Sequence, residues 1–201
     1  MQKYDIDVSD DTNEEDCSDN IEKQETESKE DEDSENLEKQ KVKDSSHFAS
    51  TYSLKSNENY ESNHYNYETD RYGRIKRCEG TLRLEEGKRN SAHQLKAGGE
   101  YRMENDEGGH LIAKRFGGSE KIDNIVAMDE HVNRVEYRKI ENDWANELKK
   151  GNTVDVKILC KYENESTRPT EFIVKYKVTD QNGAVRYEVK SISNNESSNK
   201  G

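Results

Sequence analysis

The chain has 201 residues, of which 28% are hydrophobic and 38% charged, so a core spread over the whole length would be thin. The formal charge of −12 is carried entirely by residues 1–60, and residues 61–201 sum to zero. No stretch approaches 18 consecutive apolar residues and the first residues lead into acidic ones without an apolar run, which excludes a helical membrane span and argues against a signal peptide.

Residues 1–64 contain Asp10-Asp11, Glu14-Glu15-Asp16 and Glu30-Asp31-Glu32-Asp33, with Ser, Asn, Gln and Lys between them. Their apolar residues follow neither a 3.6 nor a 2.0 period. Such a segment cannot bury enough surface to offset roughly 1–2 kcal/mol of backbone entropy per residue. A disordered acidic tail and linker is therefore expected over 1–64. An acidic arm can fold over a nucleic-acid site, but a solvated tail is the simpler reading. Cys17, Cys78 and Cys160 are odd in number and lack redox or zinc spacing, so neither a disulfide framework nor a thiolate metal site is expected.

The folded domain is expected over 65–192, with a disordered tail over 193–201. Tyr72 to Cys78 and Thr81 to Leu84 alternate as strands do, interrupted at Glu79-Gly80. Gly98-Gly99 reads as a turn, and Asp106-Glu107-Gly108-Gly109 as another. Two short apolar runs come next, Leu111-Ile112-Ala113 and Ile125 to Met128. Residues 130–150 form the clearest helix, because Tyr137, Ile140, Trp144 and Leu148 make one apolar face and Gly151 supplies the stop. Trp144 is expected in the core. Three strands complete the domain, over Thr153–Tyr162, Phe172–Val178 and Val185–Ile192, the last two joined by the hairpin turn Gln181-Asn182-Gly183.

Phosphodiester hydrolysis needs a base to activate water and a cation, held with open positions, to stabilise the pentacovalent phosphate. His110, preceded by glycines that let backbone approach a bulky ligand, can serve as the base at neutral pH. On an ideal α-helix, Asn133 and Glu141 are separated by about 80° and ~12 Å, which places an amide oxygen and a carboxylate on one side. Each of these features alone is more often structural. His131 and the scattered His47, His64 and His93 are expected to be peripheral to the chemistry.

The order of the motifs is more specific. Asn105-Asp106-Glu107-Gly108-Gly109-His110-Leu111-Ile112-Ala113 resembles the D-x-G-H motif of the ββα-metal DNA/RNA non-specific endonucleases, in the version found in bacterial polymorphic toxin domains. Asn124 to Met128 resembles that motif's second strand, and Asn133 to Glu141 its N-[QR]-G-x-[WY]-x-x-[LI]-E helix. The resemblance implies an α+β fold in which an antiparallel sheet carries a ββα-metal (His-Me finger) unit. It implies a metal-dependent endonuclease acting without sequence specificity on DNA, with RNA the expected second substrate. His110 matches the general base, Asn133 the direct ligand of a hydrated Mg²⁺ (Mn²⁺ able to substitute), and Glu141 the glutamate that holds metal-bound water.

A phosphate-binding arginine is also implied. Arg89 is the first candidate, with Arg134 and Arg115 as further substrate contacts. The motif's aspartate is replaced by Glu107, with Asp106 beside it, and Gly109 is the motif glycine; the helix glycine is Val135 here. An antibacterial toxin restrained by an immunity protein is the expected context, either cytoplasmic or delivered to another cell. A catalytically inactive nucleic-acid-binding protein on the same scaffold is the alternative, and an interaction protein working through its acidic tail is a third class.

Overall fold

The computed structural model describes residues 46–85 and 92–195; the acidic run and Arg89 lie outside the described residues. Strands β3 (Asn59–Ser62), β4 (Tyr65–Thr69), β5 (Ile75–Thr81), β8 (Thr153–Lys161), β9 (Glu171–Thr179) and β10 (Val185–Ser193) form the main sheet. All pair antiparallel, in the order β10-β9-β8-β5-β4-β3. Residues of alternate parity face inward. Tyr60, Tyr67, Cys78, Ile158 and Val174 sit opposite one another on successive strands, a buried row crossing five strands. A separate two-stranded ribbon pairs β6 (Asp106–His110) with β7 (Ile125–Asp129).

The long helix comes directly after β7 and packs on the sheet. Asp129 accepts hydrogen bonds at Oδ1 from the backbone N–H groups of His131 (3.0 Å) and Val132 (3.3 Å), satisfying donors that a helix start leaves open. One π-helical turn spans Val132–Tyr137, and the α-helix α1 continues over Arg138–Lys149. Trp144 is fully buried, as expected, with edge contacts to Phe116, Tyr137 and Tyr176 at centroid distances of 5.8–6.4 Å. Mixed α and β elements around antiparallel pairing thus agree with the α+β expectation.

Two local expectations are corrected. Asp106 to Gly109 is a strand and not a turn. Neither Gly108 nor Gly109 has positive φ; each is needed for close packing. A Cβ on Gly108 would lie 2.4 Å from Gln94 Cα, and one on Gly109 would lie 2.8 Å from Met128 Cβ. Glu79-Gly80 does not interrupt β5, since Gly80 is the position that the Tyr65 ring crosses.

The boundary at residue 65 falls inside the sheet. Strands β1 (Phe48–Ser50) and β2 (Ser53–Leu54) form a hairpin, and β3 pairs with β4. The chain ahead of β1 is clipped down by His47, which is buried, stacked on Tyr60 at 4.1 Å and hydrogen-bonded to Asp123 at 3.1 Å. At the other end, Asn194 is fully buried: it accepts from Asp129 N–H and donates to the carbonyls of Ala127 and Pro169, so the ordered chain runs past 192. Cys78 and Cys160 are buried free thiols. Among the described residues no helix is long and apolar enough to cross a membrane.

Candidate active site

The two-stranded ribbon and the start of the long helix form a groove of about 620 Å³. Its lining includes His110 from the end of β6, Glu107 from near the start of that strand, Asn133 and Arg134 from the π-helical turn, and Glu141 from α1. Residues that the motifs place 31 positions apart therefore meet on one surface. The π-helical turn corrects the ideal-helix spacing of Asn133 and Glu141, because i→i+5 bonding inserts extra chain between them; such turns recur at functional sites. Val135, which replaces the motif's glycine, is half exposed and does not line the groove.

The residues next along the chain hold His110 in place. Tyr137 donates its hydroxyl hydrogen bond to the Leu111 carbonyl at 2.9 Å, tying helix to ribbon. The fully buried Asn124 side chain accepts from Ile112 N–H and from the Tyr67 hydroxyl, and donates to the carbonyls of Ile112 and Ser119. One amide thus fixes the loop between β6 and β7 from four directions. Asn124 was legible only as part of the second-strand motif, because its partners are distant in sequence.

The two neighbouring acids separate cleanly. Asp106 turns inward and forms a bidentate pair with Arg168 at 2.7 and 2.9 Å, both side chains nearly fully buried. Glu107 turns into the groove, accepting from Asn133 Nδ2 at 2.8 Å and, through a short contact, from Arg134. Burial pushes the Glu107 carboxyl up, but the hydrogen bonds from Arg134 and Asn133 outweigh it and leave it below the usual carboxylate range. With its nitrogen committed to Glu107, the Asn133 amide has its oxygen left to offer a cation. Gly109 serves by its absence of a side chain beneath Met128.

Burial dominates at Glu141 and raises its carboxyl to about 7, against the opposing pull of Arg115 and Arg138. Arg115, on the short turn Lys114–Phe116, reaches Glu141 at 3.4 Å and Asn142 at 2.9 Å. Five cationic side chains, Arg102, Lys114, Arg115, Arg134 and Arg138, line the groove against the two carboxyl groups. The neutral sum over 61–201 thus conceals a local cationic surface suited to phosphate.

Arg102 and Arg138 were missed from sequence. Arg138 could have been found, since it lies three residues before Glu141 on the same helix face. Arg102 carries no local signal; its hydrogen bonds go to the carbonyls of Gln94, Ala97 and Asp106, and its charge helps to lower the Glu107 carboxyl.

Comparison with known proteins bears on the family and the fold. The profile of the DNA/RNA non-specific endonuclease family matches residues 56–180. The type VII secretion system protein EssD of Staphylococcus aureus strain USA300 is 43% identical over 122 residues, covering 57% of this chain and 20% of EssD. EssD of strain NCTC 8325 / PS 47 matches to the same extent. The chain thus spans about a fifth of the length of these relatives. Among solved structures, the Sda1 nuclease with bound zinc ion shares the fold at a TM-score of 0.53 and 16% identity, over 67% of this chain and 75% of that one.

Proposed function

This chain belongs to the DNA/RNA non-specific endonuclease family and is a nuclease, and from that premise we propose that it hydrolyses DNA and RNA with His110 as general base and Asn133 as direct ligand of a hydrated Mg²⁺. The observation that carries the reading is the convergence of His110, Asn133 and Glu141 on one cationic groove.

The residues present fit a hard, hydrated cation. No group of three or more His, Cys, Asp or Glu side chains among the described residues could hold a metal. Mg²⁺ needs no such cage, because it prefers oxygen ligands and keeps several waters. Asn133 would supply one amide oxygen and Glu141 a carboxylate toward the cation's water shell; Mn²⁺, with the same preference for oxygen, would substitute. When bound, the cation supplies charge stabilisation at the phosphate.

His110 takes the proton of the attacking water. Arg102, Arg115, Arg134 and Arg138 hold phosphate oxygens, which carry no base information, so cleavage is indifferent to sequence. Glu107 orients the Asn133 amide and Arg134 together. Arg89, which lies outside the described residues, stays a candidate for a further phosphate contact.

The test is digestion of plasmid DNA and total RNA. Wild type should degrade both with Mg²⁺ and neither with EDTA, and Asn133→Ala should need at least tenfold more Mg²⁺ for equal rate. Cleavage undiminished by EDTA would remove the metal from the mechanism. DNA binding without cleavage under any cation would leave only a binding protein on this scaffold.

Glu141 adds a pH signature. Its carboxyl, raised to about 7 by burial, holds its proton below that value, and a bound cation must displace it. Mg²⁺ affinity should therefore fall by about tenfold between pH 8 and pH 6. In metal-free protein the same raised carboxyl stabilises the fold at low pH, a contribution lost as pH rises from 4.5 through about 7. Glu141→Gln should flatten both dependences, read by Mg²⁺ titration and urea unfolding across pH; unchanged slopes would exclude Glu141 as their source.

The similarity to a type VII secretion system protein supports a link to secretion; we propose a toxin module delivered to another cell and neutralised in its producer by an immunity protein. Co-purification with a small inhibitor from the producing cell is the expected result. Harmless expression of the active nuclease in an unprotected host would contradict it.

A further inference from the structure

One side chain at the groove is out of keeping with its surroundings. Leu95, in the middle of the short 3-10 turn Gln94–Lys96, lines the cationic groove and is 71% exposed. A lone exposed leucine is ordinary on a protein surface. This one is rigidly mounted. Arg102 grips the turn by donating to the Gln94 carbonyl at 2.7 Å and the Ala97 carbonyl at 3.4 Å, and is itself anchored on the Asp106 carbonyl at 2.6 Å. Gly108 lets the Gln94 backbone lie directly on β6, where any Cβ would collide at 2.4 Å. Behind the turn, Ala97 is fully buried, and Gly98, at φ 85°, closes against Ala127 while its carbonyl accepts from Thr167. The turn is thus held from both ends with its apolar residue pointing out.

We propose that Leu95 is a specificity-determining wedge, packing against the base beside the scissile phosphate and prising it from its neighbour. The inference rests on the nuclease reading of this groove. Phosphate oxygens are met by the arginines, and what a nucleotide offers beyond them is an apolar base face. An inserted leucine unstacks such a step and opens the duplex toward the catalytic groups. The residue therefore acts on stacked substrates and is silent toward a substrate with no adjoining base.

Two measurements test this. The first compares kcat/KM of wild type, Leu95→Ala and Leu95→Met on duplex DNA and on bis(p-nitrophenyl) phosphate, an ester that carries no base. Leu95→Ala should lose about tenfold on the duplex and nothing on the ester, and Leu95→Met should restore the duplex rate. The second uses His110→Ala protein and a duplex carrying 2-aminopurine, whose fluorescence rises on unstacking. The rise on binding should disappear in His110→Ala/Leu95→Ala. Equal loss on both substrates, or an undiminished fluorescence rise, overturns the wedge. A wild type inactive on every substrate overturns the nuclease reading instead, and the fluorescence comparison then decides the wedge by itself.

Discussion

His110→Ala is expected to lower kcat on DNA by about 10²–10⁴-fold, the range lost when a positioned general base is removed. The side chain lines the groove at the end of β6 and is only partly buried, and the fold-defining contacts nearby belong to Leu111, Ile112 and Asn124. The urea midpoint should therefore shift little. Mg²⁺ affinity should also be preserved, because Asn133 and Glu141 are untouched. A structural role for His110 would give the opposite pattern, lost stability with activity falling in proportion. Added imidazole provides a sharper discrimination. It can enter the vacated position and accept the proton, so partial restoration of rate is expected for His110→Ala and none for Asn133→Ala. Full activity of His110→Ala without imidazole would end the proposed mechanism.

How much of this was legible in the sequence depended on where each residue's partners lie. The His110 motif, the second strand and the helix are local patterns, and they predicted the ββα unit. The strands before residue 70 were hidden because their largest buried side chains are tyrosines. Tyr60, Tyr65 and Tyr67 bury their rings only because each hydroxyl finds an acceptor 51–63 positions away: the Asp123 carbonyl, the Phe116 carbonyl and Asn124 Oδ1. Without those partners the segment reads as a polar linker. The turn expected at Asp106 to Gly109 failed for a related reason. Its glycines answer to Gln94 and Met128, not to local backbone curvature. The π-helical turn was equally invisible, since the apolar face of the helix keeps nearly the same spacing with or without it.

The choice between Asp106 and Glu107 could not be made from adjacency, and the buried pair with Arg168 decides it. Asp106→Ala is expected to destabilise the domain by about 3–5 kcal/mol, because it leaves a guanidinium buried without its counter-ion. The pair is bidentate, the two side chains are 1% and 5% exposed, and Asp106 Oδ2 also accepts the Met103 N–H at 2.9 Å. Solvent cannot compensate so enclosed a charge. Arg168→Met should cost a comparable amount by stranding the carboxylate. The double variant Asp106→Leu/Arg168→Met should recover much of the loss, since a buried ion pair and a well-packed apolar pair are often near equal in stability. Urea unfolding of wild type, Asp106→Leu, Arg168→Met and the double variant closes this cycle. At temperatures where the variants remain folded, activity should fall less than tenfold, because Glu107 and not Asp106 faces the groove. An unchanged urea midpoint with activity lost as in His110→Ala would move Asp106 from the scaffold into the chemistry.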